Sequence, residues 1–153
     1  MKKHFAAFLL FLGFLSLVNC QSKTNPEIKY YRSAETKKME LPFSDAVQVG
    51  NMLYLSGQIG NIPGEFELVE GGLEAESRQT MENIKRVLEA NGSSLDHAVK
   101  FTIFIDDISK WSDFNEVYVQ YFNKNLPARS AFGAEGLALG AAVEVECIAY
   151  IPQ

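Results

Sequence analysis

Residues 141–151 alternate with a period of two, and both of the alternating sets carry apolar side chains. In an extended chain Val143, Val145, Cys147 and Ala149 share one face, while Glu144, Glu146, Ile148 and Tyr150 share the other. The first set needs a core. The second, with Ile148 and Tyr150, also needs a cover, because an apolar sheet face of that size is not normally left in water. The segment 52–55 repeats the pattern, with Leu53 and Leu55 set against Met52 and Tyr54. A sheet backed by helices on one side and by another copy of itself on the other satisfies both demands, so the pattern predicts a homo-oligomer.

The other elements fit around that strand. Phe43 to Val49 and Met52 to Ile59 flank Gly50-Asn51 and predict a β-hairpin. Pro63-Gly64 and Gly71-Gly72 make 60–72 mostly loop, with room for one extra short strand, Phe66 to Val69. From Leu73 to Ala90, Met81, Ile84, Val87 and Leu88 recur at helical spacing, and Asn91-Gly92 ends the run. Val99 to Ile105 alternates as a strand, with Val99, Phe101, Ile103 and Ile105 on one face. A second helix, Trp111 to Asn123, carries a stripe of Trp111, Phe114, Val117, Tyr118, Tyr121 and Phe122, which reads as core packing. Two final strands, Ala128 to Ala134 and Ala141 to Ile151, are joined by a Gly-rich turn at 135–140. The order is ββαβαββ, an α+β arrangement with one sheet, antiparallel or mixed, backed by two helices. A chain of 153 residues, 47% of them hydrophobic, suits one compact domain.

The N-terminus stands apart. Lys2 and Lys3 precede an uncharged apolar run of 14 residues, Phe5 to Val18, which is short of the roughly 20 that a spanning helix needs and fits an export signal. Leu17-Val18-Asn19-Cys20 resembles a bacterial lipobox, although Asn19 replaces the small residue usual before the cysteine. The expected division is a signal at 1–19, a tether and lead-in at 20–39 beginning with lipidated Cys20, and the domain at 40–153. The protein would be exported and held at a membrane by its lipid alone, facing the periplasm or cell surface; ordinary cleavage nearby would leave it soluble in the periplasm. Without the two signal lysines, 12 basic residues face 19 acidic ones. That balance, with no Lys/Arg stripe, excludes nucleic acid as a partner. With Cys20 lipidated, Cys147 is the sole remaining thiol and forms no intramolecular disulfide.

Several chemistries drop out. The histidines are His4, in the signal, and His97, in a polar connection, so neither a His-based triad nor a His-rich metal site can be assembled. Cys147 lies mid-strand among apolar residues and reads as a buried small hydrophobe. The glycines of 133–140 lack the Lys-Ser/Thr of a phosphate loop. What remains is Arg129, entering a β-forming segment just after Pro127. A guanidinium in a cleft grips a carboxylate with two hydrogen bonds, whereas on a surface it makes an ordinary salt bridge. Glu144 lies fifteen positions on, on the strand expected to be adjacent, so the two would meet across a β pair. Such a Glu activates a water or completes a structural ion pair.

The segments Val49-Gly50-Asn51, Leu55-Ser56-Gly57-Gln58-Ile59, Pro127-Ala128-Arg129-Ser130 and Val143-Glu144-Val145-Glu146-Cys147-Ile148-Ala149 resemble the RidA (YjgF) family in type, order and spacing. The resemblance spans about 40–152. It implies a chorismate-mutase-like fold, a homotrimer around a central β-barrel, and sites in the clefts between subunits. It also implies hydrolysis of 2-iminobutanoate and 2-iminopropanoate to 2-oxo acids and ammonia, with no metal or organic cofactor. On that resemblance Arg129 would bind the substrate carboxylate and Glu144 would activate water, while Ser56, Gly57 and Asn115 would line the cleft. Two positions depart from the family's deaminases: Phe43 stands where they usually carry Tyr, and Ala131 where they commonly carry Cys. Phe43 and the export signal keep an alternative in play, a noncatalytic carboxylate-binding or interaction trimer at the membrane surface.

Overall fold

The computed structural model describes residues 25–153. The signal, the lipidation site Cys20 and the first residues of the tether lie outside the described residues. Among those described, no helix is long and apolar enough to cross a membrane.

The elements are β1 (Ile28–Tyr31), α1 (Ala34–Lys38), β2 (Ala46–Val49), β3 (Met52–Leu55), β4 (Gln58–Ile59), α2 (Gly72–Ala90), β5 (Ala98–Ile105), α3 (Trp111–Tyr118), β6 (Ala128–Gly133) and β7 (Val143–Tyr150). The strands form one mixed sheet in the order β1-β2-β3-β7-β5-β6, with β4 also paired to β7. All pairs are antiparallel except β5–β6. The architecture is thus the expected α+β fold, with α2 and α3 packed on one face of the sheet.

Part of the expected lead-in belongs to this sheet. β1 pairs with β2 from Ile28–Val49 to Tyr31–Ala46, and α1 follows, its first turn capped by Ser33, whose side chain accepts from the Thr36 amide. The strand is hidden because its four residues, Ile-Lys-Tyr-Tyr, are too few to show an alternation within an otherwise polar lead-in.

The hairpin forms as expected around Gly50, at φ 61, but its second arm is two strands. Tyr54 faces Ile148 on β7 and Gln58 faces Val145, so residues 55–57 oppose only 146 and 147. This is a β-bulge at Ser56-Gly57. The extra strand considered at 66–69 reduces to a single bridge, Asn61 to Leu68. α3 ends at Tyr118 and passes into a 3-10 turn through Tyr121.

The core lies between the sheet and α2 and α3, where Leu53, Met81, Ile84, Leu88, Phe101, Ile103, Phe114, Val143 and Val145 are all but inaccessible. Val99 does not join them and is 44% exposed. A register shift between Ala98 and Lys100 breaks the alternation at that end of β5. Two buried polar side chains of α2 fix the ends of strands. Asn83 donates to the carbonyls of Ile59 and Asn61, both at 3.0 Å. Glu76 accepts from the Ala142 amide at 2.8 Å. A buried polar group is stable only when it is paired, so these bonds hold β4 and the start of β7 against α2.

Candidate functional site

Glu144 is the second residue of β7, facing Ile59 on β4 and Phe104 on β5. Its side chain lines a cavity of about 480 Å³ together with Ser56, Gly57 and Phe43. Four of the expected site residues are therefore brought together in one place. The bulge explains how. It turns Gly57 toward β7 so closely that a Cβ there would collide with Glu144 Oε1 and sit 2.8 Å from its Cδ. Ser56 is fixed by a 2.7 Å hydrogen bond from its Oγ to the Ser44 carbonyl. Phe43, in the loop before β2, is 46% exposed. Burial raises the Glu144 pKa above its ordinary value of 4.5, and the neighbouring charge of Glu146 raises it further.

Arg129 is built differently. On β6 it faces Phe101 of β5, and its side chain runs to the helix side of the sheet. There Nη1 donates to Asn115 Oδ1 at 2.7 Å. The guanidinium lies 4.4 Å from the Trp111 ring centroid and 4.8 Å from that of Tyr118. Stacking of this kind orients the planar fork, and the bond to Asn115 is its one hydrogen bond among the described residues. Burial pushes the Tyr118 phenol up to about 12, with Arg129 acting against the rise, so the ring is neutral where it meets the cation. Ala131, two residues along β6, is half-buried against the core.

Arg129 and Glu144 do not meet across a β pair. β5 lies between β6 and β7, so their strands are about 10 Å apart. The two side chains also leave opposite faces of the sheet, since Arg129 is in register with Phe101 while Glu144 is in register with Phe104. The Gly-rich connection misled because a short turn ordinarily joins neighbouring strands; here residues 134–142 step over the end of β5, where the Ala134 amide bonds to the Ile105 carbonyl. Neither alternative of an ion pair holds. The ion pairs among the described residues join Lys29 to Glu27, Arg78 to Glu74, Lys85 to Glu82 and Lys110 to Asp107, and involve neither Arg129 nor Glu144.

The expected site residues thus fall into two separate clusters on one chain. A carboxylate cluster holds Glu144, Ser56, Gly57 and Phe43. A guanidinium cluster holds Arg129, Asn115 and Ala131. Trp111 and Tyr118, assigned to the core as parts of an aromatic stripe, also form the bed of the guanidinium. Their helical spacing from Asn115 was visible, but nothing in the sequence placed Arg129 over them.

Among the described residues no group of His, Cys, Asp and Glu could hold a metal ion. His97 packs against Tyr150 with ring centroids 4.9 Å apart. Cys147 is buried and free, and burial pushes its thiol up to about 12, so it is no nucleophile at neutral pH.

A family model described as Endoribonuclease L-PSP matches residues 35–151. Protein HMF1 of Saccharomyces cerevisiae is 47% identical over 107 residues, which are 70% of this chain and 82% of that protein. The 2-iminobutanoate/2-iminopropanoate deaminase of Homo sapiens is 40% identical over 108 residues, 71% of this chain and 79% of that one. Among solved structures, YyfA of Yersinia pestis, of the conserved Rid protein family, is 36% identical with a TM-score of 0.76, covering 82% of this chain and 100% of its own. RidA from an Antarctic Psychrobacter is 38% identical with a TM-score of 0.70, covering 84% and 100%. With its mixed sheet, its bulge at Ser56-Gly57 and its Arg129 and Glu144 motifs, this chain belongs to the RidA (YjgF) family.

Proposed function

We propose that this protein hydrolyses 2-imino acids to 2-oxo acids and ammonia, at sites completed between two copies of the chain. The observation that carries the reading is the pair of uncompensated charges. A stacked guanidinium without a carboxylate and a half-buried carboxylate without a cation are costly to keep apart unless a ligand or another copy meets them.

The open face of the sheet supports assembly. Tyr30, Val47, Tyr54 and Ile148 form one continuous row across β1, β2, β3 and β7, and Tyr30 is 70% exposed. Farther along, Phe104 stacks on Phe132. Covering this face with further copies, in a trimer, buries it and brings the guanidinium cluster of one copy to the carboxylate cluster of the next.

In that cleft Arg129 binds the substrate carboxylate. Glu144 takes a proton from water as the oxygen adds to the imine carbon and passes that proton to nitrogen, so that the C=N π pair becomes an N–H bond of the carbinolamine and the carboxylate is restored. The hydroxyl proton then passes through Glu144 to nitrogen, the C–N bond breaks with its electrons on nitrogen, and ammonia leaves the 2-oxo acid. An imine carbon is already electrophilic, so positioning and charge stabilisation suffice. Relatives about 40% identical carry the name of this deaminase activity, which weighs against the noncatalytic alternative. The direct test generates an imino acid with an amino-acid oxidase and follows its decay. Decay faster with protein than without it is expected; equal decay overturns the reading.

Glu144 must be ionised to accept a proton, so kcat/KM rises with pH through its pKa. Because that pKa is raised first by burial and then by Glu146, the acid limb should lie above the ordinary 4.5. Glu146→Gln removes the second cause and should move the limb to lower pH, by less at high salt, where an exposed charge is screened. A limb that stays put or moves upward would remove Glu144 as the base.

A further inference from the structure

The cavity beside Glu144 is larger and more apolar than a four-carbon imino acid requires. Its volume of about 480 Å³ lies within the ~300–1,000 Å³ of pockets that bury drug-sized ligands. The apolar part of its wall is formed by Met39, Leu41, Phe43, Ile59, Phe66 and Leu139, beside polar groups that include Ser33, Gln58 and Asn61. The apolar residues come from separate segments, namely the stretch from α1 to β2, β4 with the loop after it, and the turn before β7.

Leu139 is the most informative of them. It sits at φ 60, ψ 10, a left-handed conformation unfavourable for a branched L-residue. Its side chain is 52% exposed, so core packing does not account for a leucine there. What the side chain does is present an apolar surface to the same cavity as Glu144.

Charge narrows the class further. Glu35 and Glu65 also line the cavity, against a single Arg86. Asp45 is occupied by bonds from the Ser33 amide and the Thr36 hydroxyl. A second carboxylate on the substrate would meet net repulsion.

We infer that the cavity selects 2-imino acids with bulky, uncharged apolar side chains, such as those derived from leucine or phenylalanine, and that Leu139 is a specificity-determining residue. The inference rests on the deaminase reading: the imine carbon sits at Glu144, and the side chain runs toward Leu41, Phe66 and Leu139. A pocket contact of this kind discriminates by about tenfold or more.

The experiment measures kcat/KM of the purified protein for imines generated in situ from alanine, 2-aminobutanoate, leucine, phenylalanine, arginine and glutamate. The leucine- and phenylalanine-derived imines should exceed the alanine-derived one by about tenfold, with the glutamate-derived one poorest. Leu139→Gly, which relieves the backbone and so should not lower Tm, should cut the leucine-to-alanine ratio by about tenfold. A wild-type optimum on the alanine- or arginine-derived imine overturns the inference. So does a Leu139→Gly variant that slows every substrate in proportion. Acceleration of none of the imines would instead overturn the deaminase reading itself, and the wild-type profile decides even if the variant does not fold.

Discussion

Arg129→Ala is expected to lower kcat/KM for every 2-imino acid by about 100- to 1,000-fold. The loss should appear with all side chains alike, because the guanidinium is assigned to the carboxylate that all these substrates share. The fold should survive. Arg129 gives up one hydrogen bond to Asn115 and its stacking on Trp111 and Tyr118, together about 1–2 kcal/mol at a half-buried position. Thermal unfolding therefore separates a binding role from a structural one: a small fall in Tm with a large fall in kcat/KM is the expected combination. Arg129→Lys keeps the charge but not the planar fork or its stacking, and should rescue only a small part of the activity. Activity unchanged in Arg129→Ala would refute the assignment.

Gly57→Ala should cost about 100-fold, although it adds only a methyl group and removes no charge. The added Cβ would collide with the Glu144 carboxylate, and either the carboxylate or the bulged backbone must give way. A displacement of about 1 Å is enough to lose two orders of magnitude when a water must be held for attack. The neighbouring substitution Ser56→Ala, which loses the bond to the Ser44 carbonyl without touching Glu144 directly, should cost less. Equal activity of Gly57→Ala and wild type would mean that Glu144 is not where its proton transfer requires it.

The elements legible in the sequence were those in which a single face decides burial. α2, β5 from Phe101 onward, and β7 all follow their hydrophobic period because α2 and the sheet bury one side of each. Val99 failed at an irregularity in register, which side-chain alternation cannot reveal. The division of 52–59 into two strands was hidden for a related reason: a bulge inserts one residue without altering composition, and Leu55-Ser56-Gly57-Gln58 reads as continuous strand. β1 was missed as an edge strand in a polar stretch.

Which residues stand out as candidates was legible in the sequence; how the fold arranges them was not. Arg129 and Glu144 stand out as charges within β-forming segments, and Ser56, Gly57 and Phe43 do gather around Glu144. Their relation depends on which strands are neighbours, and the insertion of β5 between β6 and β7 is a long-range fact that no local spacing encodes. Leu139 illustrates the same limit, since its turn looked like a plain connector and only the backbone conformation and the cavity give it meaning.

The account turns on the two charges coming from different copies, and mixing tests this most directly. Arg129→Ala and Glu144→Gln are prepared separately, each inactive, and then co-assembled at equal ratio. In the proposed trimer every mixed assembly contains one site with both native groups, so activity should return to about a quarter of the wild-type level. A mixture that stays as inactive as its parents, with exchange of subunits verified, would contradict the account.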